Sequence, residues 1–496
     1  MSETRQTQPA RSTITADMEL DAIRCYRALE TRDRRFDGRF FTGVRTTGIY
    51  CRPICPAPLP KARNVVFFAC AAAAEDAGFR PCLRCRPETA PGTPAWNGTS
   101  AVVARALRLI ESGALDDGDA AALAARLGLG ERQLRRLFVQ HLGAAPVQVA
   151  RSRRAHFARR LLDETDLAVT QVALAAGFGS IRQFNDAIRS TFHASPTELR
   201  SRRRHAPAPG ELTVRLPYRP PLPWPTMLAF LAGRATPGVE VVEDGAYRRT
   251  VRIGDEPAAI EVRPDPDRAQ VVLRVHATDH ARLIDVVERV RRLFDLGADP
   301  LRIASHLRRD ARLKPIVGKL GGLRVPGAWD PFELAVRAIL GQQVTVRAAT
   351  TLAGRLAERF GTPVDLGPGL TRLFPLAPTL TDAPLETIGL PRARAATIRT
   401  LADAVASGRL AFDASDGPEG LAARLCALPG IGPWTAEYVA MRALGEPDAF
   451  PAGDLGVRAA LGNGAGPVTS KEAETIAEAW RPWRAYAVMY LWHSHA

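Results

Sequence analysis

The stretch Leu428–Ala436, with the sequence LPGIGPWTA, decides the fold of the C-terminal part of the chain. Its two glycines, Gly430 and Gly432, permit a tight hairpin whose backbone amides can approach a phosphate group closely. The helix that follows presents its N-terminus to the same phosphate. This pattern predicts a helix-hairpin-helix motif in which Gly430, Gly432 and Thr435 contact a nucleic-acid backbone. The motif alone indicates only backbone binding, since polymerases and ligases contain similar hairpins.

An acidic residue in a Gly/Pro loop follows about twenty residues later, Asp454 in Phe450–Asp454 (FPAGD). In this order the two elements resemble the helix-hairpin-helix DNA glycosylases, in particular the AlkA family of 3-methyladenine DNA glycosylases II. The resemblance extends to Ala338–Val344 (AILGQQV) and Trp480–Ala487 (WRPWRAYA), and it covers residues 211–496. It implies a β-rich front part followed by an all-α glycosylase domain.

The resemblance assigns catalysis to Asp454. Cleavage of an N-glycosidic bond passes through an oxocarbenium-like sugar, which a carboxylate can stabilise while it orients or deprotonates water. A helix cap or a solvated acid is the alternative for such a loop residue. Trp434 stands where lyase-competent relatives carry a nucleophilic lysine. The sequence therefore predicts a monofunctional enzyme that excises alkylated bases such as 3-methyladenine and leaves an abasic site.

Trp434, Tyr438 and Trp492 match aromatic pocket positions of that family. A flipped alkylated base carries positive charge, and electron-rich ring faces attract it. Ordinary aromatic core is the alternative for these three residues. Leu455 and His493 occupy positions that are aromatic in the best-known relative, so the substrate range is left open.

Three further expectations concern the DNA and cofactors of this domain. Gln343 falls where the best-known relative inserts an apolar wedge, and glutamine can still fill a vacated stack by hydrogen bonding. Carbonyls of the hairpin often hold a monovalent cation in this family, which the sequence neither requires nor excludes. No four-cysteine segment follows the hairpin, which excludes the iron–sulfur branch of the superfamily.

Two cysteine pairs lie at metal-ligand spacing near the N-terminus. Cys51 and Cys55 are separated by three residues, and Cys82 and Cys85 by two. Four thiolates suit one tetrahedral Zn²⁺, and a purely structural zinc site is the simplest interpretation of the spacing alone. The other cysteines are expected to be buried structural thiols, and they are Cys25, Cys70 and Cys426.

The sequences around these pairs change the interpretation. Val44–Pro56 (VRTTGIYCRPICP) and Ala77–Pro87 (AGFRPCLRCRP) resemble the N-terminal domain of the Ada adaptive-response family over residues 19–88. That resemblance implies that Zn²⁺ holds all four cysteines and that Cys51 takes a methyl group from a DNA methylphosphotriester. Zinc keeps sulfur as thiolate at neutral pH, and transfer is stoichiometric because a thioether is not regenerated. Flanking phosphates could be held by Arg45, Arg52, Arg80, Arg84 and Arg86.

A near-repeat with a period of about fifty residues follows. Each copy has a short helix, a Gly-x-Gly turn at Gly128–Gly130 or Gly177–Gly179, and a second helix, as helix-turn-helix units require. Ser180 is a natural N-cap. The tandem copies resemble the AraC-type DNA-binding domain over residues 100–200, which implies two recognition helices in successive major-groove segments. Candidate base and phosphate contacts, each with a solvated helix face as the alternative, are Arg132, Gln133, Arg135, Arg136, Arg182, Gln183, Asn185 and Arg189.

Composition shifts divide this multidomain α+β chain. The expected order is a small zinc-bound α/β module, an all-α tandem helix-turn-helix domain, a β-rich subdomain and an all-α helix-hairpin-helix glycosylase domain. The expected segments are a disordered N-terminus at 1–18, the zinc module at 19–88, a linker at 89–99, the helix-turn-helix domain at 100–204, a linker at 205–210, the β-rich subdomain at 211–280 and the glycosylase domain at 281–496.

The formal charge of +15 favours double-stranded DNA as the partner, both alkylated DNA and promoter DNA, although an arginine-rich composition explains part of it. The polar N-terminus and the absence of any run of eighteen apolar residues argue against secretion and membrane insertion. We therefore expect a cytoplasmic, nucleoid-associated monomer. A role in transcription would add RNA polymerase as a partner.

Three functions compete at this point. The first is a repair enzyme with a regulatory front end, which Asp454 and the intact hairpin favour. The second is a methylation-sensing transcription activator whose C-terminal fold has lost its chemistry. The third is a zinc module that serves only to dock on DNA. No Pro-Cys-His-Arg motif occurs, so repair of the guanine oxygen, known from full-length Ada proteins, is not expected.

Overall fold

The computed structural model describes residues 22–91, 101–116, 119–203, 212–412, 417–462, 464 and 466–494. The expected disordered segment 1–18 and the expected linker 205–210 lie outside these ranges, as do residues 92–99 of the expected linker 89–99. None of the helices in the described ranges has both the length and the apolar character needed to cross a bilayer.

The N-terminal module is a four-stranded sheet with two helices. Its elements are α1 (Ala22–Glu30), β1 (Phe41–Val44), β2 (Ile49–Cys51), β3 (Val65–Phe68), α2 (Ala71–Asp76) and β4 (Arg80–Pro81). The strand order is β3-β1-β2-β4, and β2 and β4 run parallel with Tyr50 opposite Pro81. The residues that follow, Cys51 and Cys82, therefore meet at one edge of the sheet. This register brings the two cysteine pairs together.

The second module is all-helical. It contains α3 (Ala101–Glu111), α4 (Ala120–Arg126), α5 (Glu131–Leu142), α6 (Pro146–Glu164), α7 (Val169–Ala175), α8 (Ile181–Phe192) and α9 (Pro196–Ser201). Gly128 and Gly177 occupy the same place in the two repeats and have φ angles of 67° and 77°, a backbone conformation that favours glycine. The predicted N-cap is confirmed, because the Ser180 hydroxyl accepts the Gln183 amide at 3.1 Å.

A five-stranded antiparallel sheet comes next. Its strands are β5 (Leu212–Pro217), β6 (Glu240–Glu243), β7 (Ala246–Ile253), β8 (Glu256–Asp265) and β9 (Gln270–His276), and helix α10 (Trp224–Ala232) lies between β5 and β6 in sequence. The strand order is β5-β9-β8-β7-β6. Val271, Leu273 and Val275 are buried at alternate positions of β9, as a sheet with one face on the core requires.

The C-terminal part is predominantly helical. Its helices are α11 (Leu283–Leu293), α12 (Pro300–Leu307), α13 (Leu313–Lys319), α14 (Pro331–Leu340), α15 (Val346–Phe360), α16 (Ala377–Leu380), α17 (Arg392–Ala406), α18 (Gly417–Cys426), α19 (Pro433–Ala443), α20 (Leu455–Leu461), α21 (Ser470–Ala477) and α22 (Arg484–Ser494). Two very short strands, β10 (Thr362–Pro363) and β11 (Arg372–Leu373), interrupt the expected all-helical pattern.

The modules pack against one another through ion pairs and shared apolar surface. Arg86 pairs with Asp163 of α6 at 2.6 Å, and Arg108 of α3 pairs with Glu446 at 2.9 Å. One continuous core includes side chains of α8, the five-stranded sheet and α22. The helix-turn-helix repeats are therefore held in a fixed relation to the C-terminal helices.

Candidate functional site

The four cysteines predicted as ligands form one cluster at the edge where β2 and β4 end. All four Sγ atoms lie within 4.8 Å of one another, and this set of Cys51, Cys55, Cys82 and Cys85 is called the cysteine cluster below. Four thiolates this close repel one another, so all four can be deprotonated together only around a cation. Four convergent sulfur atoms at this separation fit one Zn²⁺.

Backbone amides distinguish the four sulfur atoms. The amide of Arg84 donates to Cys82 Sγ at 3.4 Å and that of Arg52 to Cys85 Sγ at 3.3 Å. Among the residues that the structure describes, no amide donates to Cys51 Sγ. Since such bonds draw electron density from sulfur, the Cys82 and Cys85 thiolates are more strongly stabilised than that of Cys51.

A cavity of about 650 Å³ opens beside the cysteine cluster. Cys51, Arg80 and Arg84 line it, and Arg45 is exposed on the β1–β2 turn. Arg52 and Arg86, which were also expected to hold phosphates, are engaged within the protein in this structure. Arg52 donates to Asp37 and to Thr89, and Arg86 pairs with Glu88 and Asp163.

The remaining cysteines divide between core and surface. Cys25 and Cys70 are buried, and burial raises the pKa of the Cys70 thiol to about 12, so it stays protonated. Cys426 is exposed, which corrects the expectation of a buried thiol. It ends α18 on the surface, where no core position requires an apolar side chain.

The two recognition helices present the predicted polar residues outward. In α5, Leu134 and Phe138 are buried, and in α8, Phe184 and Ile188 are buried. The opposite faces carry the candidate DNA contacts. Exposed among them are Arg132, Gln133, Arg135, Arg136, Arg182, Gln183 and Arg189, while Asn185 is half-buried. These faces are therefore available to a DNA groove.

The two glycines of the hairpin at Leu428–Ala436 differ in their surroundings. Gly430 has a φ angle of 85°, and a Cβ there would lie 2.0 Å from Thr397 Oγ1, so the fold requires glycine. A Cβ on Gly432 would meet nothing within 4 Å. Gly432 caps the start of α19, where it leaves room for an approaching phosphate.

Asp454 lies at the start of α20 and faces a cavity of about 440 Å³, called the base cavity below. Its Oδ1 accepts the Val457 amide at 3.0 Å and the Trp492 indole N–H at 2.9 Å, and its Oδ2 accepts the Trp434 indole N–H at 3.0 Å. Asp454 caps a helix and also lines a cavity, so its role as a cap leaves the predicted catalytic role open. Three donors fix the orientation of the carboxylate.

The aromatic residues predicted for the pocket line the base cavity together. The Trp434 and Tyr438 rings are stacked with centroids 5.5 Å apart, and Tyr438 and Trp492 are 6.4 Å apart. Leu455 and His493 are not among the residues that line it. Leu455 is 66% exposed, and the His493 ring is within 2.8 Å of the Met489 carbonyl.

The loop between α14 and α15 reaches the hairpin. Gln343, the residue predicted to enter the DNA stack, is exposed and has a φ angle of 56°. Its neighbour Gln342 donates to the Gly430 carbonyl at 3.0 Å and to Thr435 Oγ1 at 3.1 Å. Gln342 was not among the predicted contact residues, although it lies inside the stretch AILGQQV.

Three arginines in the base cavity were also missed, namely Arg234, Arg337 and Arg442. Arg442 lies one helical turn after Tyr438, so its position could have been inferred from i,i+4 spacing on α19. Arg234 follows the end of α10 and Arg337 lies in α14, and no local pattern connects them to the hairpin. Arg234 stacks on Phe230 with its guanidinium carbon 3.8 Å from the ring centroid.

Four family models match the chain in sequence order. They are the metal binding domain of Ada at residues 24–88, a helix-turn-helix domain at 123–202, the AlkA N-terminal domain at 213–330, and the HhH-GPD superfamily base excision DNA repair protein at 336–485.

Individual relatives agree with this order. A probable bifunctional transcriptional activator/DNA repair enzyme AlkA of Mycobacterium tuberculosis is 45% identical over 96% of this chain and 97% of its own length. The DNA-3-methyladenine glycosylase 2 of Escherichia coli is 33% identical over 56% of this chain and 96% of its own length. A 3-methyladenine DNA glycosylase from Archaeoglobus fulgidus superposes with a TM-score of 0.50 at 25% identity, covering 57% of this chain and 98% of that one.

Proposed function

The chain belongs to the family of AlkA-type bifunctional transcriptional activator/DNA repair enzymes, and from that premise we propose three linked activities. It excises alkylated bases from DNA, it accepts methyl groups from the DNA backbone, and it binds promoter DNA. We assign these activities to residues 281–496 with the sheet at 211–280, to residues 19–88, and to residues 100–204. The glycosylase is of the 3-methyladenine II type.

The glycosylase proposal is supported above all by the position of the Asp454 carboxylate. Its carboxylate is held by two indole N–H groups and one amide at the wall of the base cavity. As the bond between C1′ and the base breaks, positive charge develops on the sugar, and the fixed carboxylate stabilises it. The same carboxylate takes a proton from the water that adds to C1′.

The product is an abasic site. Trp434 occupies the position next to the hairpin where an amine would be needed to attack C1′, and its indole instead donates to Asp454. No Schiff base can form at that position. Strand cleavage through a borohydride-trappable adduct would therefore contradict the proposal.

Methyl acceptance is assigned to Cys51. Bound Zn²⁺ would keep the four sulfur atoms of the cysteine cluster as thiolates at neutral pH. Cys51 Sγ attacks the methyl carbon in line with the departing phosphate oxygen. The S–C bond forms, the C–O bond breaks, and the electron pair stays on the phosphate. Cys51 lines the cavity together with Cys55 and Cys82. It is supported over Cys82 and Cys85 because each of those accepts a backbone amide, and over Cys55 by the resemblance to the Ada family.

Each acceptor acts once, since no group in the cluster can remove the methyl from the thioether. Transfer removes one negative charge from the cysteine cluster and so weakens its repulsion from DNA. Arg45 and Arg80 hold flanking phosphates, while α5 and α8 read the promoter. A protein bound in this way would contact RNA polymerase as a monomer. A monovalent cation could bind the hairpin carbonyls.

One experiment separates the activities. The full chain is incubated with methylated duplex DNA, and released bases and S-methylcysteine are measured together. We expect Asp454→Asn to abolish base release but not methyl transfer, and Cys51→Ala to do the reverse. Cys426→Ser, on the surface and outside both sites, serves as the control that changes neither. Methyl transfer without base release by the native protein would favour a sensing activator with an inactive glycosylase fold.

A further inference from the structure

The Tyr438 hydroxyl at the wall of the base cavity lies beside two cations. Arg442 Nη1 donates to Tyr438 Oη at 2.7 Å, and the Arg234 guanidinium lines the same cavity close enough for its charge to act on the phenol. Arg442 is itself fixed, because it donates to the carbonyls of Pro326 at 2.8 Å and Gly327 at 3.0 Å. The phenol oxygen therefore accepts a hydrogen bond from a guanidinium group that is held in place.

This arrangement leaves the phenol proton free for a ligand. A phenol oxygen that accepts an N–H bond from Arg442 cannot donate its own proton to that guanidinium, which has no acceptor, so its O–H must point elsewhere. In the part of the chain that the structure describes, no carboxylate or carbonyl accepts the Tyr438 O–H. Burial raises the pKa of the Tyr438 phenol, but the Arg442 and Arg234 charges outweigh that effect and the pKa is lowered.

We propose that Tyr438 donates its proton to an uncharged flipped base as the glycosidic bond breaks, an inference that rests on the proposed glycosylase function. A cationic alkylated base leaves as a neutral molecule and needs no proton. An uncharged purine leaves as an anion unless an acid protonates it. Tyr438 thereby extends excision to lesions that carry no positive charge.

The proposed reaction moves two protons, one from Tyr438 to the base and one from water to Asp454. The C1′–N bond breaks and its electron pair passes to the base, which takes the Tyr438 proton. The phenolate that remains is stabilised by Arg442 and Arg234. Water adds to C1′ and gives its proton to Asp454. Solvent then returns a proton to Tyr438 and removes one from Asp454, so both groups regain their starting states.

The charge of the base cavity supports the same conclusion. Arg234, Arg337 and Arg442 all line it, and Arg337 is neutralised by Glu240 and Glu333. The charges of Arg234 and Arg442 make the wall beside Tyr438 less favourable for a cationic base than for a neutral one. Trp434 and Trp492 can stack on a neutral base and attract a cationic one. The wall that carries Tyr438 therefore suits an uncharged base, while the indole rings accommodate both kinds.

The test compares one neutral and one cationic base in the same duplex context. Single-turnover release of hypoxanthine and of 7-methylguanine is measured for the full chain and for Tyr438→Phe, which keeps the stacked ring and removes the O–H. We expect the hypoxanthine rate to fall at least about 10-fold more than the 7-methylguanine rate, within the range of general-acid effects. Trp492→Phe, which removes a donor to Asp454 but no acid, should lower both rates by a similar factor.

A pH profile gives a second readout. Native hypoxanthine release should decline as pH rises and the phenol loses its proton, and Tyr438→Phe should lack that alkaline decline. Equal losses on both bases in a variant with an unchanged thermal midpoint would overturn the inference, as would native release of 7-methylguanine without hypoxanthine. Release of neither base by the native chain would instead overturn the proposed glycosylase function.

Discussion

Tyr50 Oη lies 3.1 Å from His156 Nε2, although Tyr50 belongs to β2 beside the cysteine cluster and His156 to α6 between the two helix-turn-helix repeats. Glu75 Oε1 completes the contact at 2.8 Å from Tyr50 Oη and 2.6 Å from His156 Nε2. The His156 ring also packs edge-on against Phe192 at the end of α8. The strand that ends in Cys51 is thus connected to a recognition helix through three side chains.

We expect this contact to make stability depend on pH. Burial lowers the pKa of His156, but the Glu75 carboxylate outweighs burial and raises it above its usual value. The stabilisation is therefore fully present below the unfolded pKa of about 6.5 and is lost as pH rises through the higher folded pKa. Thermal midpoints measured from pH 5.5 to 8.5 should fall more for the native chain than for His156→Gln. Parallel curves would contradict this expectation.

Metal removal should unfold the edge of the sheet that carries the cysteine cluster. Four thiolates held together by Zn²⁺ repel one another when it leaves, and structural zinc in small domains contributes about 10–16 kcal/mol of apparent binding free energy. We expect one zinc equivalent per chain, and a chelator should lower the thermal midpoint by about 10 °C or more, by analogy with metal-dependent folding. Cys426→Ser should keep one equivalent and Cys85→Ser should lose it. Full zinc retention by Cys85→Ser would exclude the four-sulfur site.

Local sequence patterns predicted the parts of this structure that depend on neighbouring residues. The Gly-x-Gly turns, the Ser180 cap and the glycine pair of the hairpin each follow from the conformation or hydrogen bonding of a few consecutive residues. Cysteine spacing likewise indicated two ligand pairs. Their meeting depends on the parallel register of β2 and β4, which no local pattern specifies.

Partners distant in sequence could not be predicted. Arg52 looked available to phosphate, yet it is bound to Asp37, fifteen residues away, and Arg108 pairs with Glu446, which is 338 residues away. The sequence gives the charge of an arginine but not the acid that folding brings to it. The same reason explains why Arg234 was missed, since it lines the base cavity with Tyr438 but lies about two hundred residues earlier in the chain.

Replacing Asp454 by Asn should remove the negative charge of this side chain while keeping the N-cap of α20. An asparagine carbonyl can still accept the Val457 amide, so α20 should keep its N-terminus. Loss of the negative charge removes the stabilisation of the cationic sugar, and we expect base release to fall by about 10²–10⁴-fold. Single-turnover release from methylated duplex measures the effect. Asp330→Asn, at the cap of α14 in the same module, is the matched control and should retain the native rate. A native rate for Asp454→Asn would remove Asp454 from the mechanism.

Gln343 should matter most when the base must be drawn out of an intact duplex. Its left-handed backbone conformation costs about 1–2 kcal/mol for a residue with a side chain, and such strain persists where the surroundings impose it. Gln342 imposes it here by binding Gly430 and Thr435. Filling the vacated stack recovers part of the few kcal/mol that extrusion costs.

We therefore expect Gln343→Gly to raise the thermal midpoint slightly but to slow base release from paired duplex by about 10-fold, a loss of about 1.4 kcal/mol. The same lesion in single-stranded DNA should be released at a rate close to native, because no stack has to be filled. Equal losses on the two substrates would show that Gln343 acts on the base cavity instead of on extrusion.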